Sequence, residues 1–490
     1  MKIEVYNDKC ELVIGGTDHL VDPNLFTNIR DYLSVKVPGA YHTWQYQKHV
    51  WDGKKYYLTP KGKMSTGMLP ILLDYLDEVY PDLLVEIVDC RANMVALRTN
   101  LKTGVGDYKM DGNYEFQKRL VRALDNTITF RGEEIYFPRG IVDAATNAGK
   151  TTIIAGYLLN CVGDVRMLIL INRKKIYKQL VDFMGNVFGD VGQVNDKYYE
   201  IRPVTVAMTQ SLTNRIRVSA KAKSDVAGFN AIAVDECHIA GYEKILKYSD
   251  AYARLFLSGT ALDSTDLISK LNIVSLSGPK LAEVKKAELM LRGISTKVEV
   301  KVHLSNTLLY KQIITYKEYV RECVHYSSER VAIIGQIIKH ASGPVIVAVQ
   351  EIHHGQFIYD RFQEMNISKA FEFTHGEDPQ SDEKIEKFKQ GLVEVLITTA
   401  IIREGVNLPT VKEIVYAVGG KSKISVKQWM GRAERLCGGK DKATFHDFYD
   451  IGKYVERHSE KRLAYYKEED LPIFTTFDLK EAKKLRSIFV

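Results

Sequence analysis

Short apolar runs recur along this chain, separated by stretches whose apolar positions fall at helical intervals. Arg166-Met167-Leu168-Ile169-Leu170-Ile171, Val204-Thr205-Val206-Ala207-Met208, Ala231-Ile232-Ala233-Val234 and Leu255-Phe256-Leu257-Ser258-Gly259-Thr260 are nearly continuous in hydrophobicity. Strands buried on both faces read this way, whereas half-exposed strands alternate. Residues 174–188, after the first of these runs, have helical spacing. The alternation predicts a doubly wound parallel sheet over 114–275. It returns over 300–450, most clearly at Val345-Ile346-Val347-Ala348-Val349, Val393-Glu394-Val395-Leu396-Ile397 and Glu413-Ile414-Val415-Tyr416-Ala417. A charged stretch, 280–292, bridges the two.

The first 110 residues read as a smaller α/β unit. Ile3 and Val5, then Leu12-Val13-Ile14, predict two short strands closed by Gly15-Gly16. Asp22-Pro23 is a helix start, with Leu25, Ile29, Tyr32 and Leu33 on one face. A second helix is expected over 69–80, ending at Pro81, and a strand at Leu83-Leu84-Val85-Glu86-Ile87-Val88. The polar, glycine-bearing stretch 98–113 reads as a linker. The expected fold is therefore α/β, with two parallel-sheet domains at 111–295 and 296–450. A small α/β domain precedes them at 1–110, and a helical extension follows at 451–490.

A chain of 490 residues accommodates about three domains. The net charge of +7 and a pI near 8.7 suit a polyanionic partner without demanding one. Six cysteines stand singly with no Cys-x-x-Cys pair, which argues against zinc and a disulfide framework and for a reducing cytoplasm. The first residues lack the apolar core of a signal peptide, and no apolar run approaches the ~18 residues of a membrane span.

Candidate chemistry begins at Ala144-Ala145-Thr146-Asn147-Ala148-Gly149-Lys150-Thr151-Thr152. This loop follows an apolar lead-in and opens into a helical pattern. Backbone N–H groups at a helix start are unpaired and can hold a polyphosphate. Lys150 would reach the β- and γ-phosphates, and the Thr151 hydroxyl would bind Mg²⁺. Ala144 stands where the usual pattern has its first glycine. A lone Gly-Lys-Thr is common in loops, so a second motif decides the matter. The apolar run ending in Asp235-Glu236-Cys237-His238 places two carboxylates at the ligand-binding edge of a parallel strand. Asp235 could hold Mg²⁺, and Glu236 could orient and deprotonate the attacking water. Together the two motifs predict ATP hydrolysis. Only the first sheet has a phosphate loop, which suggests nucleotide bound between the two sheets. Near the end of the second sheet, Gln428, Arg432 and Arg435 fall at i, i+4 and i+7 of a helix. Two guanidiniums on one face call for an anion, and a polyphosphate would supply it.

In this combination the chain resembles superfamily 2 helicases and translocases, which have tandem RecA-like domains. Gln117, in Phe116-Gln117-Lys118-Arg119, resembles the adenine-reading glutamine. With Asn147, Gly149, Lys150, Thr151 and Thr152 it completes the nucleotide motif on the first domain. Arg173, Lys174, Thr209 and Gln210 match segments that line the nucleic-acid track, and Thr399 matches one on the second domain. His238, Ser258 and Thr260 match positions that couple hydrolysis to strand contact. Gly405 and Asn407 resemble the motif V nucleotide contact, Asn407 standing where Asp is more usual. Gln428, Arg432 and Arg435 match motif VI, whose arginines act on the γ-phosphate. The layout is similar to the UvsW-type branch-migration helicases of large phages. Those also carry a Trp-Asp-Gly-basic segment in a small leading domain, here Trp51-Asp52-Gly53-Lys54-Lys55. The resemblance implies ATP and Mg²⁺ as cofactors. It implies forked, four-way or single-stranded DNA as partner, with other replication and recombination proteins nearby, and host cytoplasm for a phage-encoded chain.

Tyr41, Trp44, Tyr46, Trp51, Tyr56 and Tyr57 interleave with basic residues from His42 to Lys63. Aromatic faces stack on unpaired bases and lysines neutralise phosphates, so Trp51, Lys54 and Lys55 are candidate nucleic-acid contacts. A β-hairpin with aromatics inward and lysines outward has the same pattern. No Glu-x-Lys follows Asp82 and Glu86, which argues against a nuclease. His353 and His354, after a strand, are expected at the surface. Three rivals share the ATP site: an RNA helicase, the motor subunit of a restriction system, and a DNA-structure binder that ATP only switches.

Overall fold

The computed structural model describes residues 1–14, 22, 24–264, 266–305, 315–399, 408, 410–434, 440, 442–452 and 455–478. Gly15, Gly16, Pro23, Gly405, Asn407 and Arg435, all singled out by the sequence, lie outside these residues. The chain forms two compact units, Met1–Val284 and Lys285–Val490.

The first unit holds both the N-terminal module and an eight-stranded sheet. In the module, Lys2–Val5 pairs antiparallel with Lys9–Val13 and parallel with Glu86–Asp89. The last strand starts three residues later than its apolar run. Asn24, not Asp22, occupies the N-cap of Leu25–Tyr32; the Asp22 carboxylate instead accepts the Asn24 amide at 2.8 Å. Leu25 and Ile29 are buried as the spacing requires, but Tyr32 faces outward and stacks on Tyr75. Leu69–Val79 carries Pro70 at its first turn, where the missing N–H costs nothing.

The module's core extends beyond its own segment. Ile128, Phe130 and Phe137, in and just after the hairpin Thr127–Phe130/Glu133–Tyr136, join Leu72, Leu73 and Leu76 in one cluster. The stretch 98–113 is likewise packed rather than free. Fully buried Asn160 bonds both the N–H and the C=O of Lys102 (2.5 and 3.1 Å), and Val105 and Met110 are buried. Seating against the sheet is tight. Arg139, fully buried, donates to the carbonyls of Asn7, Ala251 and Tyr252 at 2.7, 3.3 and 3.1 Å. Asn7 in turn donates to Asp250 O at 2.8 Å. Gly67 touches the end of helix Leu267–Ser277 so closely that a Cβ would lie 2.3 Å from Val274 O.

The large sheet runs Tyr199–Glu200, Gly192–Val194, Val204–Met208, Met167–Ile171, Ala231–Asp235, Ala253–Ser258, Arg139–Ala144, Lys280–Val284. All neighbours are parallel except the first pair. Lys280–Val284 is thus an edge strand, not a bridge: its lysine and glutamate face outward while Val284 is buried. Apolar side chains from one sheet face and its flanking helices fill this core, among them Leu168, Leu170, Ile232, Val234 and Phe256.

The second unit is a seven-stranded parallel sheet, ordered Phe371–Thr374, Val395–Thr398, Val345–Ala348, Glu413–Tyr416, Lys442–Asp450, Lys297–Ser305, Ile473–Thr475. Separate apolar clusters cover its two faces. Among the described residues after 451, helix Glu456–Glu468 is followed by the edge strand Ile473–Thr475, which completes this sheet. His354 is a correction: it is buried in the first turn of Ile352–Glu364, stacked on His325 with ring centroids 4.8 Å apart, while His353 is exposed as expected. Among the described residues no helix is long and apolar enough to cross a membrane.

Candidate nucleotide site on the first sheet

The site follows from strand register. Asp143 pairs with Ser258, and Asp235 pairs with Leu257, so three strands end at one edge. The phosphate-loop strand and the carboxylate strand are separated by a single strand, Ala253–Ser258. From this edge the chain turns sharply. Asn147 and Gly149 adopt left-handed conformations, φ 72° and 76°, which curl the loop before helix Lys150–Asn160. Gly149 has a second reason to lack a side chain: a Cβ would sit 2.5 Å from Gln117 Nε2. Gln117 is buried and donates to Ala148 O at 2.8 Å, so it holds the loop from behind. Thr152 is buried and Thr151 half-buried at the helix start.

Lys150 Nζ lies 3.0 Å from Glu236 Oε1. Burial works against the Lys150 ammonium, but Glu236 and Asp235 outweigh it and hold its pKa above the ordinary value. Burial likewise works against the Glu236 carboxylate, yet Lys150 and His238 hold it down to about 2. Asp235 goes the other way. Burial and the neighbouring Glu236 charge push it up to about 6. A buried carboxylate in that position is relieved by a cation. Glu236 itself has φ 54°, a strained backbone for a non-glycine residue at a strand end.

Behind Glu236 stand further hydrogen bonds. Ser258 Oγ donates to Glu236 Oε2 at 3.3 Å, and His238 Nδ1 lies 2.8 Å from Ser258 Oγ and 3.1 Å from Thr260 Oγ1. The Thr260 amide donates to Ser258 Oγ at 3.0 Å. Burial lowers the His238 pKa, against the opposing pull of Glu236. Of the coupling positions, Ser258 and His238 meet the carboxylate and Thr260 reaches it through them.

The other expected positions separate. Thr209 is buried and donates to Ile171 O at 3.2 Å, whereas Gln210 is exposed beside Asn214. Lys174 is exposed and pairs with Asp196. Arg173 is half-buried, and its charge acts on Lys150, Asp235, Glu236 and His238, so it belongs with the carboxylate edge as much as with a strand track. In the second unit Thr399 and Arg432 are buried and Gln428 is half-buried, the latter two on helix Lys423–Ala433. In the N-terminal module the structure gives three candidates internal partners. Trp51 Nε1 donates to Lys54 O at 2.7 Å, Lys54 pairs with Asp31 at 3.1 Å, and Lys55 donates to Asn272 at 2.5 Å.

The residues present fit a magnesium nucleotide. A curled loop of left-handed residues leads into a helix start that carries Lys150 and a hydroxyl. A buried carboxylate held above its ordinary pKa faces the same edge. Among the described residues no group of three His, Cys, Asp or Glu is placed to hold a metal, so the nucleotide's own oxygens would complete such a site.

Comparison with known proteins is consistent with this arrangement. The family described as type III restriction enzyme, res subunit, matches residues 113–263, and that described as helicase conserved C-terminal domain matches 329–437. The ATP-dependent DNA helicase uvsW of Enterobacteria phage T4 is 22% identical over 91% of this chain and 90% of its own length. The type I restriction enzyme EcoKI endonuclease subunit of Escherichia coli K12 is 21% identical over 69% of this chain and 34% of its own, so this chain spans about a third of that protein. A solved fragment of an HsdR subunit of a type I restriction enzyme from Vibrio vulnificus YJ016 shares the fold, with TM-score 0.54 and 16% identity over 74% of this chain and 67% of that one. With both helicase regions matched in order and a phosphate loop facing an Asp-Glu-Cys-His strand end, the chain belongs to the superfamily 2 helicases and is an ATP-dependent helicase.

Proposed function

We propose that this helicase uses ATP to remodel branched DNA, unwinding or branch-migrating forks and four-way junctions in replication, recombination and repair. One observation carries the reading: the likeness to the phage T4 DNA helicase runs through the N-terminal module as well as the core, covering 91% of the chain. In this reading the loop around Asn147 and Gly149 cradles the phosphates, Gln117 faces the base, and Lys150 leaves Glu236 for the β- and γ-oxygens. Thr151 and Asp235 would hold Mg²⁺, which would supply charge neutralisation to the phosphates. Glu236 accepts the proton of the attacking water. Its line to His238, Ser258 and Thr260 reports the state of the site to the strand track, to which Thr209, Gln210 and Thr399 belong. Arg432, with Arg435, stabilises charge on the transferring phosphoryl group; Gln428, Gly405 and Asn407 complete the nucleotide contacts.

The test is the ATPase rate against single strands, duplexes, forks and four-way junctions of DNA and of RNA. Forked and four-way DNA should stimulate most. Equal or stronger stimulation by RNA, or none by any DNA, would overturn the reading. A second reading, the motor subunit of a restriction system, is favoured by the res-subunit match. Purification in a stable complex with a nuclease-bearing partner would support it.

A further inference from the structure

Residues 40–50 make a small ordered knob on the N-terminal module. A turn, Ala40–His42, leads into one turn of helix, Trp44–Gln47. Thr43 ties the two together: its hydroxyl donates to Ala40 O at 2.6 Å and accepts from the Tyr46 amide at 3.4 Å. The amides of Lys48, His49 and Val50 close back on the carbonyls of Trp44, Tyr46 and Gln45. Ala40 is buried, and the Tyr46 ring packs over Gly53, where a Cβ would lie 2.9 Å from it. The knob is therefore held in shape, and its exposure is not that of a loose loop.

What it presents is unusual. Tyr41, Trp44 and Val50 are 62%, 63% and 68% exposed, within ten residues of one another. Single exposed apolar residues need no explanation, but a cluster on an ordered element marks a contact surface. The chemistry of the surroundings selects the partner. From residue 33 to 51 the chain contains Lys36 and Lys48 and no Asp or Glu. The flanking acids, Asp31 and Asp52, are taken up by Lys54 and Tyr56, and flat aromatic faces beside positive charge suit unpaired bases and their phosphates. Trp51, Lys54 and Lys55 are already engaged within the protein, so the exposed aromatics are the ones able to stack: Trp44, and Tyr41, whose ring lies 4.1 Å from that of His42 and stays 62% exposed. The knob is also anchored to the motor. Just after it, Lys55 and Tyr57 both bond Asn272 on helix Leu267–Ser277, at 2.5 and 3.0 Å.

We propose that the Tyr41–Trp44 knob stacks on unpaired bases where a duplex opens at a branch, with Lys48 at the flanking phosphate. The inference rests on branched DNA being the substrate, and it assigns the contact to residues other than the Trp51-Lys54-Lys55 segment. In the full chain, the double variant Tyr41→Ala/Trp44→Ala is compared with wild type on a fork carrying 2-aminopurine at the branch. Wild type should change the probe's fluorescence; the variant should not, and should lose about 10-fold or more in fork affinity, with a smaller loss on a blunt duplex. Trp44→Phe should restore much of the signal, since it keeps a stacking face. Lys48→Ala should reduce the slope of log affinity against log salt by about 1. Unchanged melting temperature verifies folding, as these side chains are exposed. A wild-type chain that leaves the probe unchanged overturns the proposal. So does a double variant that binds and perturbs the fork as wild type does, which would leave the knob as a protein-docking surface. If the variant loses the probe signal while the wild-type ATPase shows no preference for forks, the knob stands and branch remodelling falls.

Discussion

Glu236→Gln should bind nucleotide more tightly than wild type while losing turnover. Lys150 is held 3.0 Å from Glu236, with the two side chains 16% and 20% exposed. The lysine must leave that partner to reach phosphate, so the pair competes with the ligand. At an effective dielectric near 20, charges at this separation attract by about 5 kcal/mol before desolvation is counted. Fully exposed pairs are worth about 0–1 kcal/mol net, and breaking a buried one costs about 3–5. A partly shielded pair falls between, and about 1–2 kcal/mol corresponds to roughly 5- to 30-fold in affinity. The neutral amide keeps the volume and removes most of that competition. It also cannot take the water's proton, so turnover should fall by about 10²–10⁴. Glu236 is held down to about 2, below its ordinary 4.5, so the pair's stabilising contribution is fully present above pH 4.5 and is lost only as pH falls toward 2. The affinity gain should therefore be flat from pH 6 to 9. Titration with a non-hydrolysable ATP analogue measures it. Equal or weaker binding by the variant would refute the competition, and normal turnover would mean another base.

Arg432→Ala should lower kcat by about 10³–10⁵ with a smaller loss of ATP affinity, read by steady-state kinetics; an intact kcat would remove this arginine from the reaction. Asp235 is raised to about 6, so below that pH the free chain holds a proton that a bound cation must displace. Magnesium–nucleotide affinity should rise with pH up to about 6 and then level, with proton release at pH 5.5 detected by calorimetry in buffers of different ionisation enthalpy; no release, or the same release in Asp235→Asn, contradicts it. Gly67→Ala would drive a Cβ to 2.3 Å from Val274 O and 2.6 Å from Ser275 O, costing about 1–3 kcal/mol and several degrees of melting temperature. Gly104→Ala, in open space, should cost no more than about 0.5 kcal/mol, and equal melting of the two variants would disprove the tight seating.

The sequence was most transparent where local and tertiary demands agree. Val204–Met208 and Lys174–Phe188 begin and end where the apolar pattern puts them, because a doubly buried strand and a one-sided helix advertise themselves residue by residue. Lys150 meeting Glu236 was legible for a different reason: two motifs with one ligand imply one edge. The longest parallel pair, Lys297–Ser305 with Lys442–Asp450, was not seen. Its strands carry His446, Asp447 and Asp450 in the interior, and these are satisfied by Glu413, Arg462 and Arg330 from elsewhere in the chain. Polar residues with distant partners erase the hydrophobic signal of a buried strand. The same distance hid the roles of Lys55, whose partner Asn272 is 217 residues away, and of the hairpin Thr127–Phe130/Glu133–Tyr136, which belongs to a core begun at residue 3.

The seating of Arg139 has a mechanical consequence. This side chain clamps the N-terminal module, and its own backbone opens the strand that ends at Ala144, where the phosphate loop begins. Five residue steps of extended chain span about 17 Å, and the strand is bonded to neighbours on both sides. Its pairing with Ala253–Ser258 keeps one register from Arg139 to Asp143, while its pairing with Lys280–Val284 shifts register between Ile141 and Val142, so stiffness comes from the Ala253–Ser258 side. Tension borne by the module should therefore reach the loop as displacement through this strand. Pulling on bound nucleic acid and hydrolysing ATP should then be linked like the two arms of a lever, with hydrolysis rate depending on load.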